Sequence, residues 1–323
     1  MVGIAQSEKT GGQKKMKHDL SVEVAGIRMQ NPVMNGAGTF DLECYKDLVD
    51  TPGLGAYVQK SITLRPREGN PQPRICEVPG GMINRIGLEN IGVGEFIHNK
   101  LPIIHMLKPI DVPLIVSVAG ESIEDYLNTS IVLEAKSKGR IVALEINVSC
   151  PNVKSGLVFG SNPELLWELV MTLKSRVSLP LIIKLTPNVT DIGLIAKAAV
   201  SAGADALSLI NTVKAAAYIW RGLNVGQWTE GGLSGPAIKP IALAKVREVA
   251  KAVDVPIIAM GGISNTEDAL EFLMIKNVRA IAVGTATFRE PSTMTKIIEG
   301  LSQYLAEKNY SSITEFKQKE GIL

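Results

Sequence analysis

The sequence is poor in three features, each of which would have pointed to a different class of protein. It has only three cysteines, Cys44, Cys76 and Cys150, with no C-x-x-C pair in 323 residues. That excludes a local zinc knuckle or iron–sulfur loop and argues against a disulfide framework, so a reducing cytoplasm is the expected compartment. It has little net charge: 34 Lys and Arg against 32 Asp and Glu leave a formal +2. There is thus no electrostatic reason to expect nucleic acid or an anionic membrane as a partner. It also has no apolar run approaching the ~20 residues that a membrane-spanning helix needs. The three histidines (His18, His98, His105) all fall early in the chain.

What is present is an ordinary globular composition, 46% apolar and 20% charged. Residues 1–17 are polar and rich in Gly and Lys without an apolar core; they read as a disordered extension and not as a secretory signal. The rest, 18–323, reads as a single domain with no internal boundary. Ser21–Met29 alternates around a glycine, as in a β-hairpin. Eight strand-length apolar runs follow: Pro32–Gly36, Ala56–Ser61, Val112–Ala119, Ile141–Val148, Leu181–Leu185, Ala206–Ile210, Val255–Met260 and Ala280–Gly284. Several are near-continuous Val/Ile/Leu/Ala, the pattern of parallel strands buried on both faces.

Helical periodicity lies between the runs, at Ile123–Ser137, Pro163–Arg176 (opened by the cap Asn162), Ile192–Ala202, Ile238–Ala252 and Thr266–Lys276. Eight strands alternating with helices predict an α/β fold of the (β/α)8 TIM-barrel type, with the hairpin ahead of it. A doubly wound open sheet is the competing architecture, weakened by the lack of a G-x-G-x-x-G turn after the first strand. Leu64–Leu101 and Thr212–Gly235 are too long for barrel loops and read as active-site loops.

In a barrel of this type the site lies at the C-terminal strand ends. There the sequence places Asn35-Gly36, Lys60-Ser61, Ser117, Asn147, Lys184, Asn211-Thr212, Gly261-Gly262 and Gly284-Thr285. Singly, an asparagine is a turn former and a lysine a solvated surface residue; their joint placement is what suggests a site. The glycines after the last two strands suit a phosphate held by backbone N–H groups, with tight βα turns as the bland reading. Cys150 sits in Asn147-Val-Ser-Cys-Pro-Asn152, directly after the fourth strand. With no histidine near it in sequence, spacing leaves it open between a proton-transfer group and an inert small hydrophobe.

Long motifs then carry a resemblance. Asn147-Val-Ser-Cys-Pro-Asn-Val-Lys154, Lys184-Leu-Thr-Pro-Asn-Val-Thr-Asp-Ile192, Ile210-Asn-Thr212, Gly231-Gly-Leu-Ser-Gly-Pro-Ala-Ile-Lys-Pro240 and Met260-Gly-Gly-Ile263 resemble the dihydroorotate dehydrogenases over about residues 20–305. Lys60-Ser-Ile-Thr63, Asn84-Arg-Ile-Gly-Leu-Glu-Asn90 and a cysteine base are similar to the FMN-carrying class 1B subunit. The resemblance implies Cys150 as the base that removes a proton from C5 of dihydroorotate. It implies Lys60, Asn84, Gly87, Leu88, Asn147, Asn152, Asn211 and Thr212 around the substrate. Ala37, Lys60, Ser61, Ser117, Asn147, Lys184, Ile210, Gly235, Gly261, Gly262, Gly284 and Thr285 would surround FMN, with no metal. It further implies a homodimer and a partner subunit carrying FAD and a [2Fe–2S] cluster, through which NAD⁺ is reduced.

The sequence departs from that pattern at four places. Gly36-Ala-Gly-Thr39 leaves Ala37 only its backbone to offer; Ser117 stands for an asparagine; Asp41-Leu-Glu-Cys44 replaces a Gly/aromatic stretch. After Thr212, Val213-Lys-Ala-Ala-Ala-Tyr-Ile-Trp-Arg-Gly222 replaces a small apolar continuation. Two other functions compete: reduction of uracil or thymine of the dihydropyrimidine dehydrogenase kind, and a flavin-binding interaction subunit without catalysis.

Overall fold

The computed structural model describes residues 18–45, 53–148, 156–219 and 225–322. The chain opens with a hairpin, β1 (Val22–Val24) and β2 (Ile27–Met29). Ala25 and Gly26 have φ of 52° and 76°; this two-residue turn matches the twist of the flanking strands. Then come β3 (Val33–Asn35), β4 (Tyr57–Ile62), β5 (Ile75–Val78), β6 (Gly81–Asn84), β7 (Leu114–Val118), β8 (Ala143–Asn147), β9 (Leu181–Lys184), β10 (Ala206–Leu209), β11 (Val213–Tyr218), β12 (Trp228–Ser234), β13 (Ile257–Met260) and β14 (Val278–Val283). All eight predicted barrel strands are present. They run parallel in the order β3-β14-β13-β10-β9-β8-β7-β4.

The two edge strands meet in a seam that side-chain chemistry closes. Met34 and Ala56 form a single parallel bridge. Asn35 Nδ2 donates to the Val58 carbonyl at 2.8 Å, and its Oδ1 accepts from the Val58 N–H at 2.8 Å. Asn35 therefore substitutes for a missing ladder rung and is fully buried; it holds the barrel shut and does not face the catalytic mouth.

Strand alternation divides the side chains into two sets. Leu114, Val116, Leu144, Ile146, Leu181, Ile183, Leu207 and Leu209 belong to the large cluster under the helices. Ile115, Ala143, Ile182, Ala206, Ile258 and Ala280 point inward and pack with Val24, Ile27 and Met29. The hairpin thus plugs the N-terminal mouth. The crossing helices begin where the sequence caps them: Ser122, Asn162, Asp191 and Asn265 each accept a backbone N–H three residues on, satisfying a donor that the first helical turn leaves orphaned.

The two long segments predicted as loops contain a second sheet. Antiparallel strands are ordered β11-β12-β6-β5, so residues from 75–84 and 213–234 make one wall. The first segment also supplies the turns of helix from Gly92 to Leu107.

At the C-terminus, helices Thr293–Glu307 and Ile313–Lys319 complete the described chain. Lys317 is 2% exposed. Its Nζ donates to the carbonyls of Leu273, Ile275 and Val278, tying the last helix to the end of helix Thr266–Leu273. Burial, with Arg279 nearby, pushes its ammonium down to about 7 from 10.5. The unfolded chain therefore binds more protons than the folded one between those values, and stability rises with pH across the window. In urea titrations the wild-type midpoint should gain on that of Lys317→Met from pH 7 to pH 9.5. Parallel pH profiles would contradict this.

Candidate active site

Moving up each inward-facing row, small apolar residues give way to polar ones. Ala143 is followed by Glu145 and Asn147, Ile182 by Lys184, Ala206 by Ser208, and Ile115 by Ser117, all on the inner parity of their strands. On β4 the register against β7 shifts between Gln59 and Ile62. A bulge of this kind re-aims a side chain: Ser61 turns inward and its Oγ lies 2.8 Å from Ser117 Oγ.

A hydrogen-bonded arc results. Asn147 Nδ2 donates to Ser61 Oγ at 3.2 Å. Asn147 Oδ1 accepts from Asn211 Nδ2 at 3.2 Å, and Asn211 Oδ1 from the Thr212 N–H at 2.8 Å. Tyr126 Oη fixes the Asn147 carbonyl at 2.9 Å. Beneath the arc, Lys184 Nζ sits 3.3 Å from Glu145 Oε1, and Glu145 Oε2 accepts from Ser208 Oγ at 3.0 Å. The sheet order makes β4, β7, β8, β9 and β10 consecutive, so this polar set occupies one side of the mouth.

The other side, β13, β14 and β3, carries glycine. At Gly261 (φ 130°) an added Cβ would lie 2.6 Å from Ala242 Cβ; at Gly262 (φ 79°) it would lie 2.8 Å from Lys239 Cβ. The fold itself demands glycine at these two positions, so their being glycine is accounted for by the tight turns after β13 without a ligand. Gly36 and Gly284 differ: their nearest neighbours to a Cβ are at 3.5 and 3.6 Å, ordinary contact distances, and neither has a left-handed φ. Packing of the chain does not explain why these two are glycine. Glycine backbone that packing does not require, across the mouth from a set of polar groups, suits a phosphate-bearing planar ligand.

The remaining predicted residues fall around this mouth. Ile210 is 2% exposed, and its N–H bonds the Met260 carbonyl at 2.9 Å. Gly235 packs against Gly81 and lies near Thr285. A cavity of about 730 Å³ opens beside Thr285, Pro236 and Ser264. Asn84 Nδ2 donates to the Gly232 carbonyl at 3.1 Å, and a Cβ on Gly232 would overlap Thr212 Oγ1. The antiparallel wall therefore brings Asn84 to the rim formed by Thr212. Lys60, on β4, has its Nζ 3.7 Å from Glu89, and its stem lies under the Gly36–Thr39 turn containing Ala37. Gly87 and Leu88 follow with φ of 78° and 59°.

Cys150 and Asn152 lie outside the described residues, as do residues 220–224. Of the unusual segment after Thr212, Val213–Tyr218 pairs with β12, and the Tyr218 ring meets exposed Trp228 edge-on with centroids 5.4 Å apart. Among the described residues no group of three His, Cys, Asp or Glu could hold a metal ion, and no helix is long and apolar enough to cross a membrane. Sequence reading missed Glu145 and Ser208. For Glu145 the signal was there, because it shares inner parity with Asn147 on β8.

The family model for dihydroorotate dehydrogenase matches residues 19–305. The chain is 47% identical over 299 residues to the protein of Geobacter sp. (strain M21) named dihydroorotate dehydrogenase B (NAD(+)), catalytic subunit, covering 92% of this chain and 96% of that relative. The same name belongs to relatives in Thermoanaerobacter sp. (strain X514), 46% identical over 305 residues with 92% and 97% covered, and in Caldicellulosiruptor saccharolyticus, 46% identical over 300 residues with 92% and 97% covered.

Proposed function

The chain belongs to the dihydroorotate dehydrogenase family, and from that premise we propose that it oxidises (S)-dihydroorotate to orotate in de novo pyrimidine synthesis, using FMN and passing the electrons to NAD⁺ through a partner subunit. One observation carries the reading: the mouth is divided into a hydrogen-bonded polar arc, Ser117–Ser61–Asn147–Asn211, and a glycine side whose Gly36 and Gly284 are not required to be glycine by packing of the chain. A flavin phosphate over the glycine side would put the ring system across the arc, with Lys184 and Lys60 beside it. When bound, the flavin accepts hydride from C6 of the substrate.

The chain's own groups do the rest. Asparagine amides present a donor and an acceptor together and so match the imide edge of a pyrimidine; Asn84, Asn147, Asn152 and Asn211, with Thr212, are the set assigned to it. Gly87 and Leu88, in left-handed conformations, shape the loop beside them. Cys150 takes the C5 proton. The arc's internal hydrogen bonds hold the asparagines in place before substrate arrives, which lowers the ordering cost of binding.

The name shared by the relatives, catalytic subunit, supports a separate electron-transfer polypeptide, with FAD and a [2Fe–2S] cluster as its expected groups. A homodimer of this chain and a cytoplasmic location complete the proposal. The test is an anaerobic titration of the purified flavoprotein with orotate and with uracil. Orotate is expected to perturb the flavin absorbance saturably, at a concentration at least ~10-fold below uracil, because a site built for polar groups rejects a ligand lacking one. A spectrum that orotate leaves unchanged, or a preference for uracil, overturns the proposal.

A further inference from the structure

We infer that Glu145 is a positioning residue for Lys184, setting both where the ammonium sits and how much uncompensated positive charge the flavin meets. The inference rests on the placement of Lys184 beside the flavin proposed above. Glu145 is 3% exposed and Lys184 6%, so the pair lies inside the barrel and not at its rim. Both carboxylate oxygens are engaged, Oε1 with Lys184 and Oε2 with Ser208. Among the described residues, Lys184 forms its one hydrogen bond and its one ion pair with Glu145. Among the described residues the lysine is therefore held from a single direction, toward Glu145 on β8.

The fold gives no stability reason for the pair. Ala143, one inward position below Glu145, and Ile182, one below Lys184, are apolar, and the interior there packs without polar groups. A buried ion pair is commonly neutral or unfavourable against apolar residues of the same size. A lysine alone would be expensive to bury, and the carboxylate offsets that cost. Its negative charge also offsets part of the positive field that Lys184 projects upward. Ser208 locks the carboxylate by its second oxygen, so that the charge is fixed in position and not merely nearby. Fixed charges in a water-poor site act on the ligand's electronic state with little screening.

The test uses the flavin-loaded protein and sulfite, which adds to electron-poor flavins and so reports positive charge at the ring independently of turnover. Glu145→Gln keeps the shape and removes the charge; sulfite affinity is expected to rise about tenfold or more, with the flavin midpoint potential moving upward. Ser208→Ala leaves both charges and is expected to keep sulfite affinity within about twofold while lowering the rate of flavin reduction by dihydroorotate, with KM little changed. Lys184→Gln separates the two layers of argument. If Lys184→Gln leaves sulfite affinity unchanged, the placement of Lys184 at the flavin is wrong. If Lys184→Gln weakens it and Glu145→Gln does not strengthen it, the role of Glu145 alone is overturned. Should Glu145→Gln not fold, Glu145→Met of similar volume reads out the same charge removal, with the same two outcomes.

Discussion

Replacing Cys150 by alanine is expected to lower the rate of flavin reduction by dihydroorotate by a factor of ~10²–10⁴, the range that loss of a general base produces. The residue stands three positions beyond Asn147, whose side chain is fixed from both sides by Ser61 and Asn211 and whose carbonyl is fixed by Tyr126. The described strand therefore ends at a defined point at the C-terminal face. A thiol of ordinary pKa, ~8.5, is a workable base near neutral pH, and a cationic group close to such a thiol favours its thiolate. Stopped-flow reduction under anaerobic conditions is the measurement, because it reads the chemical step without any electron acceptor. Flavin content and orotate affinity should change little, since the alanine removes the proton acceptor and not the ligand's hydrogen-bond partners. A rate within a few-fold of wild type would mean that another group takes the proton.

How far the sequence foretold the molecule depends on the range of the interactions involved. The eight barrel strands and the β1–β2 hairpin were legible because alternation and apolar runs are local signals, and so were the helices opened by Ser122, Asn162, Asp191 and Asn265. The second sheet was not legible. Its β12 strand pairs with β6 from the other long segment, and Gly232 and Asn84 are 148 residues apart, so neither segment carries the pattern alone. Asn35 read as a strand-end site residue, yet its side chain replaces a rung across the seam, a role visible only once β3 and β4 are known to be the two edges. Glu145 was hidden inside the apolar run Ile141–Val148, where a single charge looks like noise until parity puts it beside Lys184. The glycines taught a similar lesson: sequence shows which residues are glycine, and only the neighbours show which of them the fold itself requires.

That distinction makes the second large effect specific. Gly284→Val is expected to weaken FMN binding by about a hundredfold or more, the equivalent of one or two charge-assisted hydrogen bonds, while the flavin-free protein keeps its thermal midpoint. A Cβ at Gly284 meets only Thr39 Cγ2, at 3.6 Å, and the Gly284 carbonyl goes on accepting from the Thr287 N–H and Oγ1. The chain thus has room for a Cβ there, and the branched methyls are expected to stand where the ligand must come close to the backbone. Gly261→Ala is the contrasting variant. Its Cβ would fall 2.6 Å from Ala242 Cβ at a φ of 130°, so it should destabilise the flavin-free chain as well, because strained backbone and overpacking both act without ligand. Calorimetry of the two flavin-free variants beside fluorescence titration with FMN reads both quantities. If Gly284→Val binds FMN within a few-fold of wild type, the phosphate does not lie over β14, and the division of the mouth into a polar and a glycine side loses its meaning.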